Sequence, residues 1–471
     1  MNPLELPEIA ELVATYLEGK DLVTCVCVSK TWRDMFLRYR WQVVRVGIPK
    51  RFVSSDAPIY IGPHRADIYN HRHWIQDLTI LEIFSELDVC QYPNLRCLDI
   101  YVCGDKVSYR RISMDPTTMA PSLVDLRLYR VDVPPSFWEA LSTHPHIKHL
   151  DLSCMHLKED DTPGFWRTCM NLESLKMNIY FKGGDGFPRN VVFGRMRKLY
   201  VIGDDPLRDA YQSDLILQCP MLESLDWFIL ELPEIEDRFT HRLWPQPKKL
   251  HIRGCRIKDK DWAFILNRVG NGLGWIEDLK LGNCELGTQA SKALKVHFST
   301  LVRLDVYSAK FSERSIPSDL LCLCPRLEVL NTRDVFVRDV AERGPWICQQ
   351  LRELRICFNF QDSRHNLHQL VYERLSTLIR LECLIIVHPI ADRNFRSEGL
   401  IFRLDCGLGR LASLQQLTDF SISTTYYNHS HRPGKEEAVW MVEKWRKLRR
   451  IAGISHVDVM SVFESHGIAV K

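Results

Sequence analysis

Cysteine and histidine are numerous in this sequence, and both side chains can hold a metal ion or act as nucleophiles. The chain has 16 cysteines, and two pairs have the spacing Cys-x-Cys: Cys25-Val-Cys27 and Cys322-Leu-Cys324. A zinc site needs two further ligands at suitable spacing, and none follow nearby. His71-Arg-His73 also lacks a cysteine or carboxylate partner, which favours a solvated loop. We therefore predict that the cysteines pack as small apolar side chains and that the chain holds no metal and no cofactor.

Other motifs give no better support for catalysis. No Gly-x-Ser-x-Gly is present, and no histidine lies in a recognised catalytic motif. Gly183-Gly-Asp-Gly186 lacks the Lys-Ser/Thr that follows a phosphate-binding loop, so a flexible turn is the favoured interpretation. The basic run 444–450 fits a nuclear-import or anion-binding patch, but cations near a helix C-terminus explain it more simply. We predict a protein that is not an enzyme.

The composition is that of an ordinary globular protein. Of 471 residues, 45% are hydrophobic and 26% charged, and the net charge is +3, so bulk attraction to nucleic acid or to a membrane is not expected. No apolar run reaches the length of a transmembrane helix. The N-terminus has early acidic residues and no apolar signal segment. We therefore expect a reducing compartment, the cytoplasm and/or the nucleus, where disulfides are rare.

A repeated pattern of apolar residues organises most of the chain. Its clearest copy is Ile276-Glu-Asp-Leu279-Lys-Leu281-Gly-Asn-Cys284, whose last part alternates with the period of a β-strand. Most successive copies are about 24 to 30 residues apart. The copies begin at Ile75, Leu95, Leu123, Ile147, Leu172, Met196, Leu222, Pro247, Ile276, Leu301, Leu327, Leu351, Leu381 and Leu417.

Segments with helical apolar spacing lie between the predicted strands, as in 137–141, 262–266 and 367–378. Strand and helix in alternation predict parallel strands with the helices on the opposite face. One repeat buries too little apolar surface to offset its ordering entropy, so a lone repeat should not fold. The pattern resembles leucine-rich repeats of the cysteine-containing type. The resemblance implies an α/β fold, a curved solenoid of about 13 to 14 repeats over residues 74–425 with strands on its concave face.

The two ends of the chain have different patterns. In residues 434–471, Ala438, Met441 and Trp445 form the apolar face of a helix, and a second helix follows, so we predict a C-terminal helical cap. At the N-terminus, residues 1–46 have three short amphipathic helical patterns. Gly19 is expected to end the first, and Asp21 to cap the second. Residues 47–73, rich in proline and polar residues, are predicted to be a connector.

The N-terminal segment resembles the F-box. It opens with Leu6-Pro7-Glu8-Ile9, one residue shorter between proline and glutamate than the family pattern, and closes with Val28-Ser-Lys-Thr-Trp32-Arg33. The alternative is that residues 2–46 are only a helical cap for the solenoid. The residues predicted to form the F-box core or to contact an adaptor are Leu6, Pro7, Ile9, Val13, Leu17, Leu22, Val28 and Trp32.

An F-box followed by leucine-rich repeats implies the substrate-recognition subunit of a Skp–cullin–F-box ubiquitin ligase. In that family the F-box binds the Skp adaptor, and through it the cullin–RING ligase, while the repeats bind a substrate protein. The alternative is an interaction scaffold that acts without ubiquitin ligation.

Side chains between the buried strand leucines should face the concave surface. Early positions are mainly acidic, as at Asp99, Asp125 and Asp151, and later ones are mainly basic. We hypothesise that an acidic or phosphorylated segment of a partner binds the later positions. The candidate substrate-binding residues are Tyr101, Arg127, Tyr129, His251, Arg253, Tyr307, Arg333 and Arg355.

Overall fold

The computed structural model describes most of the chain in two compact units. One unit comprises residues 1–203 and 211–222, and the other comprises residues 204–210 and 223–471. The helix Asp209–Leu217 contains one boundary between them. The described residues are 6–46, 60–61, 65–81, 92–102, 110–111, 120–182, 186–188, 190–202, 209–229, 245–254, 257–269, 274–360, 366–388, 399–423 and 432–471.

The first unit begins with three short helices: α1 (Pro7–Tyr16), α2 (Gly19–Val28) and α3 (Lys30–Arg40). Pro7 is the first residue of α1, where its missing N–H costs nothing. The prediction for Gly19 was wrong, because α1 ends at Tyr16 and Gly19 begins α2. Asp21 therefore lies within α2, where its carboxylate accepts a hydrogen bond of 3.2 Å from the N–H of Glu18.

The side chain of Ser29 caps α3 by accepting a hydrogen bond of 3.1 Å from the N–H of Trp32. The three helices enclose a small core in which the first helix contributes alanines and the third contributes aromatic rings. Its buried residues are Ala10, Ala14, Leu22, Val26, Phe36 and Tyr39.

The segment after the F-box pattern continues directly into a parallel sheet. Val43–Val46, which falls within the predicted 1–46 segment, pairs in register with Asp77–Leu81. Each later strand pairs with the next along the chain. The strands of this ladder are Val43–Val46, Asp77–Leu81, Cys97–Tyr101, Asp125–Tyr129, His149–Lys158, Ser174–Lys182 and Lys198–Ile202, with Tyr60–Ile61 beside the first and the short pair Arg110–Arg111 and Val131–Asp132 apart from it.

The described part of the predicted connector 47–73 is not a plain loop. It contains the helix Arg65–Asn70, and the His71 ring lies between two indoles, 4.4 Å from that of Trp41 and 5.1 Å from that of Trp74. Burial lowers the pKa of His71. His71 of the His-Arg-His motif is thus packed between aromatic rings, whereas His73 is exposed to solvent.

Two helices of the first unit, Pro135–Thr143 and Thr162–Cys169, pack closely against each other. Trp138 and Phe165 meet edge to face at 5.3 Å. A Cβ at Gly164 would lie 2.8 Å from the Cβ of Trp138, so only glycine permits this approach. A 3₁₀ turn, Glu159–Asp161, precedes the second helix.

The second unit repeats the same architecture. Its ladder is parallel and in register throughout. The strands are Ser224–Ile229, Lys249–Gly254, Asp278–Gly282, Arg303–Asp305, Val329–Asn331, Glu353–Asn359, Cys383–Val387, Asp419–Ser423, Arg450–Ala452 and Ala469–Val470, with short strands Glu285–Leu286, Lys310–Phe311 and Val335–Phe336. The helices are Asp259–Arg268, Thr288–Lys295, Ile316–Leu323, Val337–Glu342, Asn366–Ser376, Lys435–Lys444 and Val457–Glu464, with a 3₁₀ turn Leu408–Ser413.

Residues 434–471 are not purely helical. The predicted face of Ala438, Met441 and Trp445 is buried, but each of the two helices is followed by a strand that extends the ladder. These strands are two or three residues long, too short to show a period of two in the sequence. The end of the chain therefore adds strand-and-helix units rather than a separate helical cap.

The leucine-rich-repeat prediction is confirmed at the level of the repeating unit. Every first apolar position of the repeat, from Ile75 to Leu417, is buried. Four non-glycine residues of the described ranges adopt a left-handed backbone conformation. Arg130 and Asn283 directly follow a strand, Asp334 lies three residues after one, and Cys154 lies within His149–Lys158, where the register of that strand shifts.

Candidate functional site

Helix α1 exposes two of its large apolar side chains to solvent. The inward face of α1 carries Ala10 and Ala14, whereas Leu12 and Tyr16 are 56% and 82% exposed. Leu12 and Tyr16 are four residues apart, so they are neighbours on one side of the helix. An amphipathic helix normally buries its largest apolar residues, and the exposure of this pair is what a helix that contacts a partner would show.

The predicted F-box residues divide between the core and the surface. Leu22 is buried, and Val13, Leu17 and Trp32 pack against the core while remaining partly exposed. Leu6, Pro7 and Val28 are exposed, and Ile9 is half-buried. The residues that pack in the core thus stabilise the three helices, whereas the exposed residues are accessible to another molecule.

The strand face, meaning the side chains that alternate with the buried strand residues, carries the candidate substrate-binding residues. In the first unit the rings of Tyr101 and Tyr129 lie 5.9 Å apart on adjacent strands. Arg127 Nη1 is 3.5 Å from Asp99 Oδ2. Burial raises the pKa of Asp99, with Arg127 opposing it. These side chains largely satisfy one another across the strands.

In the second unit, one cross-strand row contains several of the charged side chains of the strand face. The residues of this row are in-register partners on successive strands: Asp226, His251, Lys280, Asp305, Asn331, Arg355 and Ile385.

His251 lies between two carboxylates. Its Nδ1 is 3.7 Å from Asp226 Oδ2, and its Nε2 is 3.3 Å from Asp278 Oδ1. Asp226 and then Asp278 raise the pKa of His251 to about 9, against the opposing effect of burial. Burial acts to raise the pKa of Asp278, but His251 and Arg303 more than offset it, so that pKa is lowered. His251 is therefore protonated at neutral pH and forms ion pairs with carboxylates on both neighbouring strands.

Three other basic side chains of this face also have carboxylate neighbours. Lys280 Nζ is 3.0 Å from Asp305 Oδ2. Arg253 Nη2 is 3.9 Å from Asp226, and Arg303 Nε is 3.8 Å from Asp278. Much of the basic character predicted from the sequence is thus neutralised within the face.

Tyr307, Arg333 and Arg355 are brought together differently. The Arg355 guanidinium carbon is 4.1 Å from the centroid of the Tyr307 ring, and that of Arg333 is 5.5 Å from the same centroid. Arg333 has one distant carboxylate, with Nε 4.0 Å from Oδ2 of Asp334, which is itself about half exposed. Among the described residues, Arg355 has no carboxylate within ion-pair distance.

A cavity of about 340 Å³ opens on this part of the second unit's strand face. Charged groups line one end, and the apolar side chains of Val329, Cys383 and Ile385 line the other. Two atoms of its lining residues, Asn331 Oδ1 and Arg355 Nε, are buried and have no hydrogen-bond partner among the described residues. The charged and polar lining residues are His251, Asp278, Lys280, Arg303, Asp305, Asn331, Glu353 and Arg355.

Sequence reasoning identified the basic members of this site but missed Asn331, Cys383, Ile385 and the neutralising Asp226 and Asp278. Each of these residues occupies a strand-face position of its own repeat. Alignment of the repeats by their buried leucines would have placed Asn331 beside Arg355. That alignment is the sequence signal that could have found it.

Within the described ranges, no three histidine, cysteine, aspartate or glutamate side chains converge to hold a metal ion. Burial raises the pKa of Cys324 and raises the pKa of Cys284 to about 12, so neither thiol is poised as a nucleophile. Every helix in the described part of the chain is too short or too polar to cross a lipid bilayer.

Comparison with known protein families identifies an F-box domain at residues 3–40. The match covers α1, α2 and α3 and confirms the prediction made from the Leu-Pro and Trp-Arg motifs. F-box domains generally bind a Skp adaptor, and F-box proteins are generally non-catalytic substrate adaptors. No curated protein matches this chain.

The solved structures that resemble this chain include leucine-rich-repeat receptors. The plant peptide hormone receptor RGFR1 in complex with RGF2 is 12% identical, with 86% of this chain and 67% of that chain covered and a TM-score of 0.37. The LRR ectodomain of the membrane receptor kinase GASSHO1/SCHENGEN3 from Arabidopsis thaliana, in complex with CASPARIAN STRIP INTEGRITY FACTOR 2, is also 12% identical, with 91% and 51% covered and a TM-score of 0.38. This chain spans about half the length of the second receptor chain.

Proposed function

We propose that this chain is the substrate-recognition subunit of a Skp–cullin–F-box ubiquitin ligase. The observation that carries the proposal is helix α1, in which Leu12 and Tyr16 face solvent while Ala10 and Ala14 are buried in the core. Exposed Leu6 and Val28 add apolar surface on the same three-helix domain. A Skp adaptor is the partner expected to bury this surface.

The mechanism needs no reactive residue in this chain. The adaptor links the three helices to a cullin–RING ligase, and the repeats hold a substrate protein. A substrate lysine is thereby held at high effective concentration near a ubiquitin thioester on another subunit. The chain therefore acts by positioning its substrate.

Adaptor binding tests the first half of the proposal. The purified full chain should form a stoichiometric complex with a purified Skp adaptor in size-exclusion chromatography and calorimetry. The double variant Leu12→Asp/Tyr16→Asp should lose at least about tenfold in affinity, because two apolar contacts are replaced by charges. Val439→Asp is the matched control, since Val439 is 42% exposed on the helix Lys435–Lys444.

The outcomes separate the proposed function from its alternative. Absence of a complex with the unaltered chain would favour an interaction scaffold that acts without ubiquitin ligation. Equal affinity of the unaltered chain and the double variant would exclude the α1 surface as the contact. Circular dichroism should show the same helix content in all three proteins, because the substituted side chains are exposed.

The second half of the proposal concerns the substrate. We propose that an acidic or phosphorylated protein segment binds the strand face of the second unit, with Arg253, Arg333 and Arg355 as candidate contacts. Reversal of all three charges should abolish capture of a substrate once one is identified. Unchanged capture would exclude this face.

A further inference from the structure

We infer that Tyr307, Arg333 and Arg355 form a site for the phosphoryl group of a phosphorylated peptide, an inference that rests on the proposed function and narrows its substrate class. Two positively charged guanidinium groups lie over one tyrosine ring, at 4.1 and 5.5 Å from its centroid. Two like charges that both contact one small side chain repel each other. A dianion in contact with both guanidinium groups would offset that repulsion and accept hydrogen bonds from each.

The cross-strand row explains why Arg355 has no carboxylate neighbour among the residues that the structure describes. Lys280 has Asp305 as its neighbour in the row and forms an ion pair with it. Arg355 instead has Asn331 on one side and Ile385 on the other. The row is therefore neutralised up to Asp305 and leaves an uncompensated positive charge one strand beyond Asn331.

The cavity around Arg355 has the further groups that a peptide needs. Asn331 Oδ1 and Arg355 Nε are buried and lack a hydrogen-bond partner among the described residues, so a peptide N–H and a phosphoryl oxygen would satisfy them once the two side chains turn toward the cavity. Ile385 and Cys383 offer an apolar surface for the side chain next to the phosphorylated residue. Glu353 also lines the cavity and disfavours a second acidic residue at that end.

These features distinguish a phosphopeptide from other anions. Free inorganic phosphate would use the two arginines but leave the amide oxygen and the apolar end unoccupied. A carboxylate carries one charge where two guanidinium groups are available. The geometry thus favours a phosphorylated side chain flanked by a peptide N–H and an apolar residue.

A titration with defined probes tests the site on the full chain. The probes are an acetylated, amidated Gly-phosphoserine-Leu-Gly peptide, its unphosphorylated and aspartate forms, and inorganic phosphate, each at the same ionic strength. The readouts are calorimetry and the ¹⁵N side-chain NMR signal of the Arg355 Nε–H. We expect the phosphopeptide to bind at least about tenfold more tightly than any other probe and to shift that signal.

Three variants test the assignment to individual residues. Arg355→Gln and Arg333→Gln should each reduce phosphopeptide affinity by about tenfold or more. Asn331→Asp should do the same while keeping both arginines, because a carboxylate at this position would pair with Arg355 as Asp305 pairs with Lys280. Arg352→Gln is the matched control, since Arg352 is exposed and already paired with Glu382 at 2.9 and 3.0 Å.

Each result supports or overturns the inference. Equal affinity of Arg355→Gln and the unaltered chain would overturn it, as would equal binding of the aspartate peptide or of inorganic phosphate. Adaptor binding by the same variants should be unchanged, and urea unfolding and circular dichroism should match those of the unaltered chain, which shows that the second unit folds. Phosphopeptide binding without adaptor binding would keep this site and reject the proposed ligase role, and the converse would reject this site alone.

Discussion

Replacement of His251 by glutamine removes a positive charge from between Asp226 and Asp278 while keeping hydrogen-bonding capacity. The pKa of His251 is raised from 6.5 to about 9. At roughly 1.4 kcal/mol per pH unit, this rise corresponds to about 3 kcal/mol without solvent screening. Because the side chain is 30% exposed, we reduce the expected contribution of the charge to about 1–2 kcal/mol.

The sign of the pH dependence follows from the direction of the shift. A raised pKa in the folded state stabilises the fold fully below the unfolded value of about 6.5, and this stabilisation is lost as the pH rises through about 9. His251→Gln should therefore be less stable than the unaltered chain by about 1–2 kcal/mol at pH 6. The difference between the two proteins should disappear by about pH 10.

Hydrogen exchange measured by mass spectrometry can detect this difference locally. Peptides covering the strand Lys249–Gly254 report its opening free energy, and comparison of the two proteins at the same pH cancels the intrinsic exchange rate. Asp226→Asn serves as a second perturbation, because it should lower the pKa of His251 seen by NMR. A pKa of His251 near 6.5 in the unaltered chain, or a stability difference independent of pH, would refute the reasoning.

Two further substitutions test the packing of the second unit. Asp319→Asn removes a carboxylate that is 3% exposed and that pairs with Arg343 and, at 3.4 Å, with Lys295. Urea unfolding should show that the free energy of unfolding falls by about 1–3 kcal/mol, and an unchanged midpoint would show that the two ion pairs contribute nothing to stability. Gly453 has a backbone φ of +84°, and Gly453→Ala would place a Cβ against the carbonyl oxygen of Ile422. We expect the free energy of unfolding to fall by more than about 1 kcal/mol in the same measurement, and equal stability would show that the turn can relax.

The repeating architecture could be predicted because each repeat has the same simple requirement. Strand residues such as Leu279 and Leu281 must both face the core, and they are 0% and 1% exposed. A period of two, repeated many times, gives that requirement a clear sequence signal. The F-box was recognisable for a similar reason, since Pro7 and Trp32 stand at fixed places relative to its apolar residues.

The errors arose where the local signal is short or ambiguous. Arg450–Ala452 has a single buried residue, Ile451, so its alternation could not be seen beside the stronger helical pattern before it. Gly19 can stand at either end of a helix, and the sequence does not show that Glu18 and Asp21 form the N-terminal hydrogen bond of α2. Such choices depend on backbone conformations that a residue type permits but does not determine.

The electrostatics of the second unit's strand face depend on residues far apart in the sequence. Arg253 and Arg355 have equal charge and both lie on strands, yet Arg253 has Asp226 as a neighbour, whereas Arg355 lies between Asn331 and Ile385. A count of basic residues treats the two arginines alike. The register makes them different, because only a charge that lacks an internal partner remains available to attract an external one. Recognition by this face should therefore depend on the neutral neighbours of Arg355 as much as on the arginine itself.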